Sequence, residues 1–344
     1  MLKKKQWVLG LIVLVVLGAI LFWGRDRMHF DFAAFRAQLA LADWRKIGIG
    51  LACIYLAYVF RAVRWALLLK HHKKVGLFSL LGTQVIGFTA VALIGRVADP
   101  VRPFLVAKKT GLPIANQIAV YIVERLFDAG AMALIFSMAI LLSPPGSMPH
   151  PELVKKSGEW GLFLTVMGAL FLVMVRLAGG FVASFLGGAV GFISKDFGRA
   201  VAHKIQTFRT GLDTMRSFGD FAVTASISIA MWVLIAAAYL ETMQAFVASP
   251  QLAAITPAKC VLLMVVSGGA SIFQLPIIMW FSQTTIVALA IANFFSASPE
   301  ASTACGATLL LVTFLGIIPV GLIWARFEHV NLRKITAESE HVGE

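Results

Sequence analysis

The stretch Gly95–Asp128, G-R-V-A-D-P-V-R-P-F-L-V-A-K-K-T-G-L-P-I-A-N-Q-I-A-V-Y-I-V-E-R-L-F-D, carries Arg96, Asp99, Arg102, Glu124, Arg125 and Asp128 between long apolar segments. An Arg or Asp at the centre of a membrane helix costs roughly 2.5–3.5 kcal/mol on insertion scales, so such residues pair, line a wet cavity or grip a ligand. Pro100 and Pro103 lack backbone N–H groups and push the residues before them toward extended conformations, so no straight helix runs through this stretch. It reads as a broken, charged element at membrane depth, where irregular backbone is tolerated only under protein or water.

The composition around it sets the class. The 344 residues are 59% hydrophobic and only 14% charged, with a mean hydropathy of +0.85. A soluble domain would carry about 25% charged residues. Several apolar runs reach the roughly 18 residues that span a bilayer, and they are continuous rather than alternating as in an outer-membrane barrel. The chain therefore reads as an all-α polytopic integral membrane protein. Its net charge of +13 is assigned to cytoplasmic loops and anionic lipid, not to nucleic acid. The N-terminal M-L-K-K-K and its apolar run lack a small-x-small cleavage pattern, so residues 7–23 are expected to stay as a first helix. Cys53, Cys260 and Cys305 lie far apart in apolar segments and read as small core residues. The tryptophans read mostly as interface anchors, Trp280 excepted.

One membrane domain is expected over residues 1–344, with amphipathic, interfacial segments at 24–46 and 178–218 and a cytoplasmic tail at 327–344. Apolar segments fall at about 47–69, 77–94, 115–142, 160–177, 220–247, 257–297 and 302–325. If every one crossed, the basic 178–218 stretch would lie outside, against the positive-inside rule. If 77–112 and 257–297 each dip in and return, six helices cross, and 17 Lys and Arg fall inside against eight outside. Both termini are then cytoplasmic. The same topology contains an inverted repeat with paired broken segments, the pattern of secondary transporters.

Three motifs in order, R-A-V-R-W-A-L-L-L at 61–69, G-R-V-A-D-P-V-R-P-F-L-V at 95–106 and V-E-R-L-F-D at 123–128, resemble the lysylphosphatidylglycerol-synthase-type transmembrane, or flippase-like, domain family. The resemblance implies a lipid translocase in a bacterial-type plasma (inner) membrane. The chain ends about twenty residues after its last apolar helix, so translocation without a fused synthase is expected. One stretch departs from the family's Gly-rich second hairpin: Q-L-P-I-I-M-W-F-S-Q-T-T at 274–285 has bulky residues at 277–281, which keep backbone further from a headgroup.

The residues expected to touch substrate are Arg61, Arg64, Arg96, Asp99, Arg102, Glu124, Arg125 and Asp128, with Gln274, Ser282 and Gln283 from the second hairpin. Guanidinium groups bind phosphate bidentately and stay charged in apolar surroundings. Arg96 and Arg102 are the first phosphate ligands by this reading, with Asp99 paired to one of them. Glu124 and Asp128 share a helix face at i and i+4; they are either a headgroup site or part of an ion-pair lattice with the arginines. There is no H-E-x-x-H, G-x-S-x-G, P-loop or paired C-x-x-C, so neither an enzyme nor a metal or cofactor site is expected. The expected partner is an anionic phospholipid or lipid phosphate. The alternative is a non-transporting scaffold for a membrane enzyme that modifies lipid or glycan.

Overall fold

The computed structural model describes residues 30–144, 148–149, 151–191, 194–196, 198–202, 217–270 and 279–330, and every regular element among them is helical. The expected first helix at 7–23, most of the basic 195–216 stretch, the tip of the second hairpin with Gln274 and Pro276, and the C-terminal tail beyond Val330 lie outside the described residues.

A short helix α1 (Phe32–Ala40) precedes the long α2 (Trp44–Leu69). Each starts at an aspartate: Asp31 accepts from Ala33 N at 2.7 Å and Asp43 from Arg45 N at 3.0 Å, satisfying N–H groups that the first turn leaves without partners. α3 (Leu77–Ile94) stops at Gly95, whose φ of 98° and ψ of −174° suit glycine and little else. One tight turn, Arg96–Ala98, leads into α4 (Val101–Thr110), with Pro103 in its first turn where a missing N–H costs nothing. The proline-broken element predicted from the sequence is thus a helix, a turn and a helix. α5 (Ile114–Leu141) carries Glu124, Arg125 and Asp128. α6 (Pro151–Gly191) bends at Ala178, at the boundary between the apolar 160–177 segment and the amphipathic one. α7 (Phe218–Gln244) and the one-turn α8 (Pro250–Ala253) follow. Then come α9 (Pro257–Ala270), α10 (Met279–Phe295) and the last span, made of α11 (Pro299–Leu310), a π-helical turn at Leu311–Leu315 and α12 (Ile317–Phe327).

Among the described residues, four helices are long and apolar enough to cross a membrane: Trp44–Leu69, Leu77–Ile94, Phe218–Gln244 and Pro299–Phe327. Shorter apolar helices accompany them at Ala178–Gly191, Pro257–Gly269 and Trp280–Phe295.

Polar contacts define two ends of the bundle. At the basic end, Lys70 and His71 meet Asp220, Lys73 donates to Thr110 O at 2.6 Å, and Lys109 reaches both Ser79 O at 3.2 Å and Glu328. At the other end, Asp43 N donates to Ala245 O at 2.8 Å, Gln244 Nε2 to Ile255 O at 3.2 Å and Asp31 N to Glu300 Oε1 at 3.2 Å. The Lys109–Ser79 contact puts the start of α3 and the finish of α4 side by side at the basic end, so these helices form a hairpin. α9 and α10 pair as a second hairpin. The two touch where Trp280 Nε1 donates to Ala92 O at 3.0 Å.

The packing has an internal correspondence. α2 packs on α3 as α7 packs on α9; α4 on α5 as α10 on α11; and α3 on α12 as α9 on α5, while α2 and α7 pack on each other. Small residues permit the closest of these approaches: a Cβ at Gly50 would meet Thr242 Oγ1 of α7, and one at Gly321 would overlap Thr89 of α3.

Candidate functional site

Six of the charged residues predicted in three separate motifs, Arg61, Arg64, Arg102, Glu124, Arg125 and Asp128, meet in one largely buried cluster between α2, α4 and α5. Arg61 and Arg64 project from one face of α2, and α5 answers with Glu124 and Asp128 one turn apart. Glu124 Oε1 is shared by four guanidiniums: Arg125 Nη2 at 2.6 Å, Arg102 Nη2 at 2.8 Å, Arg64 Nη2 at 3.0 Å and Arg61 Nη1 at 3.5 Å. Asp128 takes Arg64 Nη1 at 2.6 Å, Arg125 Nη2 at 2.8 Å and Arg61 Nη1 at 3.4 Å. Two hydrogen bonds from α7 side finish the shell: Arg64 Nη1 donates to Ser228 Oγ at 2.8 Å and Trp232 Nε1 to Asp128 Oδ1 at 3.3 Å.

Arg102 occupies a different place from the one the sequence suggested. It is fully buried, donates to Gln84 Oε1 through Nε at 3.1 Å and Nη2 at 2.6 Å, and stacks over Phe88 at 4.3 Å and Trp65 at 5.3 Å. Its carboxylate partner is Glu124, not Asp99, from which only the backbone carbonyl is shared, with Arg102 N at 3.4 Å. The cause lies on α3. Gly87 leaves room for the Arg102 side chain to pass directly over the helix toward α5, and a Cβ there would overlap Arg102 Cγ. Arg102 is therefore a buried clamp between α3, α4 and α5.

A cavity of about 210 Å³ opens beside the cluster, between the two hairpins. Arg61, Arg96 and Arg125 line its charged wall; Tyr239, Ser267, Gln283 and Thr313 line the opposite, hydroxyl- and amide-bearing wall. Tyr58, Phe88 and Trp232 supply aromatic surface. No carboxylate is among the described lining residues; Glu124 and Asp128 lie behind the arginines. Of the residues predicted from sequence, Arg61, Arg96, Arg125 and Gln283 reach this cavity. Arg64, Arg102, Glu124 and Asp128 form its backing. Asp99 is half-buried in the hairpin turn, Ser282 sits on the first turn of α10 outside the lining, and Gln274 is outside the described residues.

The match of residues 7–318 to the family described as the lysylphosphatidylglycerol synthase TM region accounts for the three motifs and for nearly the whole bundle. The chain belongs to this family. It is a multi-pass membrane protein related to lipid modification or transport. Searches of curated proteins and of solved structures gave no match.

Several site residues of this family member escaped the sequence reading. Gln84 and Gln117 are lone amides inside apolar helices; Gln117 Oε1 accepts from Trp65 Nε1 at 3.2 Å. Both carried a signal, since a buried amide must find partners. Trp65 and Trp232 are corrections to the interface-anchor assignment: Trp65 is 1% exposed and packs on Arg102, and Trp232 touches Asp128. Tyr239, Ser267 and Thr313 gave no signal, because single hydroxyls on membrane helices usually bond their own backbone.

Proposed function

We propose that this protein is a flippase-like lipid translocase and not an enzyme, and that its substrate is a phospholipid or polyprenyl-phosphate-type lipid whose phosphate enters the cavity between the hairpins. The observation that carries this is a cavity wall of Arg61, Arg96 and Arg125 with the carboxylates set behind it. Guanidiniums facing an open cavity are built to receive an anion, and the carboxylates behind Arg61 and Arg125 hold these two in place without blocking it.

The six-crossing topology with two re-entrant hairpins fits the same reading. Lys109 joins the two legs of α3–α4 at the basic end, α9 and α10 pair from the other, and residues of both hairpins line the cavity. Secondary transporters place their sites where broken elements meet near the midplane. Under this topology the basic end is cytoplasmic, both termini lie there, and the membrane is a bacterial-type inner membrane.

The test is movement of fluorescent phospholipids and polyprenyl phosphates across vesicles containing the protein, with Arg96→Ala compared against native chain. Normal yield of folded Arg96→Ala with lost movement is expected. Movement at the native rate would remove Arg96 from the mechanism.

A second reading is favoured by the depth of the Arg64–Arg102–Glu124 lattice, which is fully enclosed. Here the protein is a non-transporting scaffold for a membrane enzyme. It predicts native binding of that enzyme by a variant that has lost lipid movement.

A further inference from the structure

The charge of the site narrows the lipid. At membrane depth the cluster and the hairpin turn hold five guanidiniums, Arg61, Arg64, Arg96, Arg102 and Arg125, against three carboxylates, Asp99, Glu124 and Asp128. Five against three leaves an excess of two positive charges. Counting Arg96 and Asp99 as a mutually cancelling pair leaves the same excess. The rest of the core cannot reduce it: residues 7–23, 221–240, 257–297 and 301–327 contain no Asp or Glu. Arginine does not discharge by losing a proton. Nor are the donors used up. On the cavity wall, Arg125 Nε has no hydrogen-bond partner among the described residues, although it is buried from water.

An apolar bundle with two uncompensated positive charges is expensive, and a ligand that supplies two negative charges relieves it. We infer that the cavity takes a lipid ending in a phosphate monoester, a dianion, in preference to a phosphodiester lipid, and that it rejects lipids with cationic aminoacyl headgroups. The inference rests on the lipid-phosphate reading of the cavity. The wall presents Arg61, Arg96 and Arg125 to the phosphate oxygens, while Ser267 and Gln283 face it from the second hairpin. A zwitterionic headgroup brings no net charge and leaves the excess in place. A lysyl headgroup adds positive charge to a wall of arginines with no described carboxylate to receive it.

The experiment is a pair of lipids with identical acyl chains, phosphatidic acid and its methyl ester phosphatidylmethanol, titrated into the full-length protein in detergent. Intrinsic tryptophan fluorescence is the readout, since Trp232 lines the cavity. At about pH 8 the monoester carries close to two charges and the methyl ester one. Binding roughly tenfold tighter for the monoester is expected from the extra charge in a partly wet site. The advantage should collapse near pH 5, where the second phosphate proton returns. Arg125→Gln should weaken the preference and Arg125→Lys should restore part of it. Equal binding of the two lipids, or competition by lysylphosphatidylglycerol at matching concentration, overturns the inference. Displacement by inorganic phosphate at concentrations similar to the lipid's reassigns the site to soluble phosphate and also overturns it. Selective binding of the monoester with no movement across vesicles would sink the translocase reading and leave this one standing. Movement of zwitterionic lipid without selectivity would do the reverse.

Discussion

At the residue scale, one carboxylate oxygen organises the site. Glu124 Oε1 lies within 3.5 Å of four guanidinium groups, and Glu124 is 1% exposed. Glu124→Gln replaces that charge with an amide whose NH2 faces cations. Breaking a buried ion pair in soluble proteins costs roughly 3–5 kcal/mol, and loss of folded protein by size-exclusion yield in detergent is expected here. A native yield would mean that the cluster is wet. Arg102→Ala should be as damaging, because it strands Gln84 and one face of Glu124. Arg96→Ala should not, since Arg96 is exposed on the cavity wall. Gly87→Ala, which adds only a methyl group, should act like a weaker Arg102 variant by displacing that side chain. The charged members of this cluster were legible in the sequence because charge in an apolar run demands a reason. Which arginine faces the cavity was not legible, since that depends on a gap over Gly87 that no local pattern reveals.

At the scale of elements, the α3–α4 hairpin was readable from Pro100 and Pro103, and its tip from Gly95. Hydropathy alone makes Leu77–Ile94 long enough to cross, and the count of basic residues is what favours a hairpin that dips in and returns. A cysteine pair settles the point: Ser79→Cys and Lys108→Cys should label from the same side of the membrane, and Lys259→Cys from the opposite side. Labelling of positions 79 and 108 from different sides would refute the re-entrant reading. Gly95→Ala forces a side chain into a backbone region reserved for glycine, costing about 1–3 kcal/mol, and should lower the thermal midpoint in detergent. Trp280→Phe removes the hydrogen bond that joins the two hairpins, to Ala92 O, at a cost of about 1 kcal/mol. Its larger expected effect is on lipid movement, measured in vesicles, because residues of both hairpins line the cavity. The π-helical turn at Leu311–Leu315 was invisible to sequence reasoning. Tyr55 Oη donates to Gly316 O just beyond it at 2.8 Å, and the turn itself carries Thr313 of the cavity wall.

For the whole molecule, the cross-packing of the two halves bears on how the chain is made. α3 rests on α12, and α9 on α5, so each hairpin is completed by a helix from the other half of the sequence. The small-residue face of α3, with Gly82 beneath Trp324 and Thr89 against Gly321, is synthesised roughly 240 residues before its cover. At ~5–20 residues per second the ribosome needs about 12–48 s to deliver that cover. During this interval the first hairpin has no permanent lodging in the bilayer. A nascent chain arrested before Pro299 should therefore leave Thr89→Cys open to a membrane-permeant thiol reagent, and release of the full-length chain should close it. Quality-control proteases that sense unassembled membrane segments would meet this protein in that window, so its cellular abundance should respond more sharply to Gly321→Val, far from any charge, than to changes at the cavity.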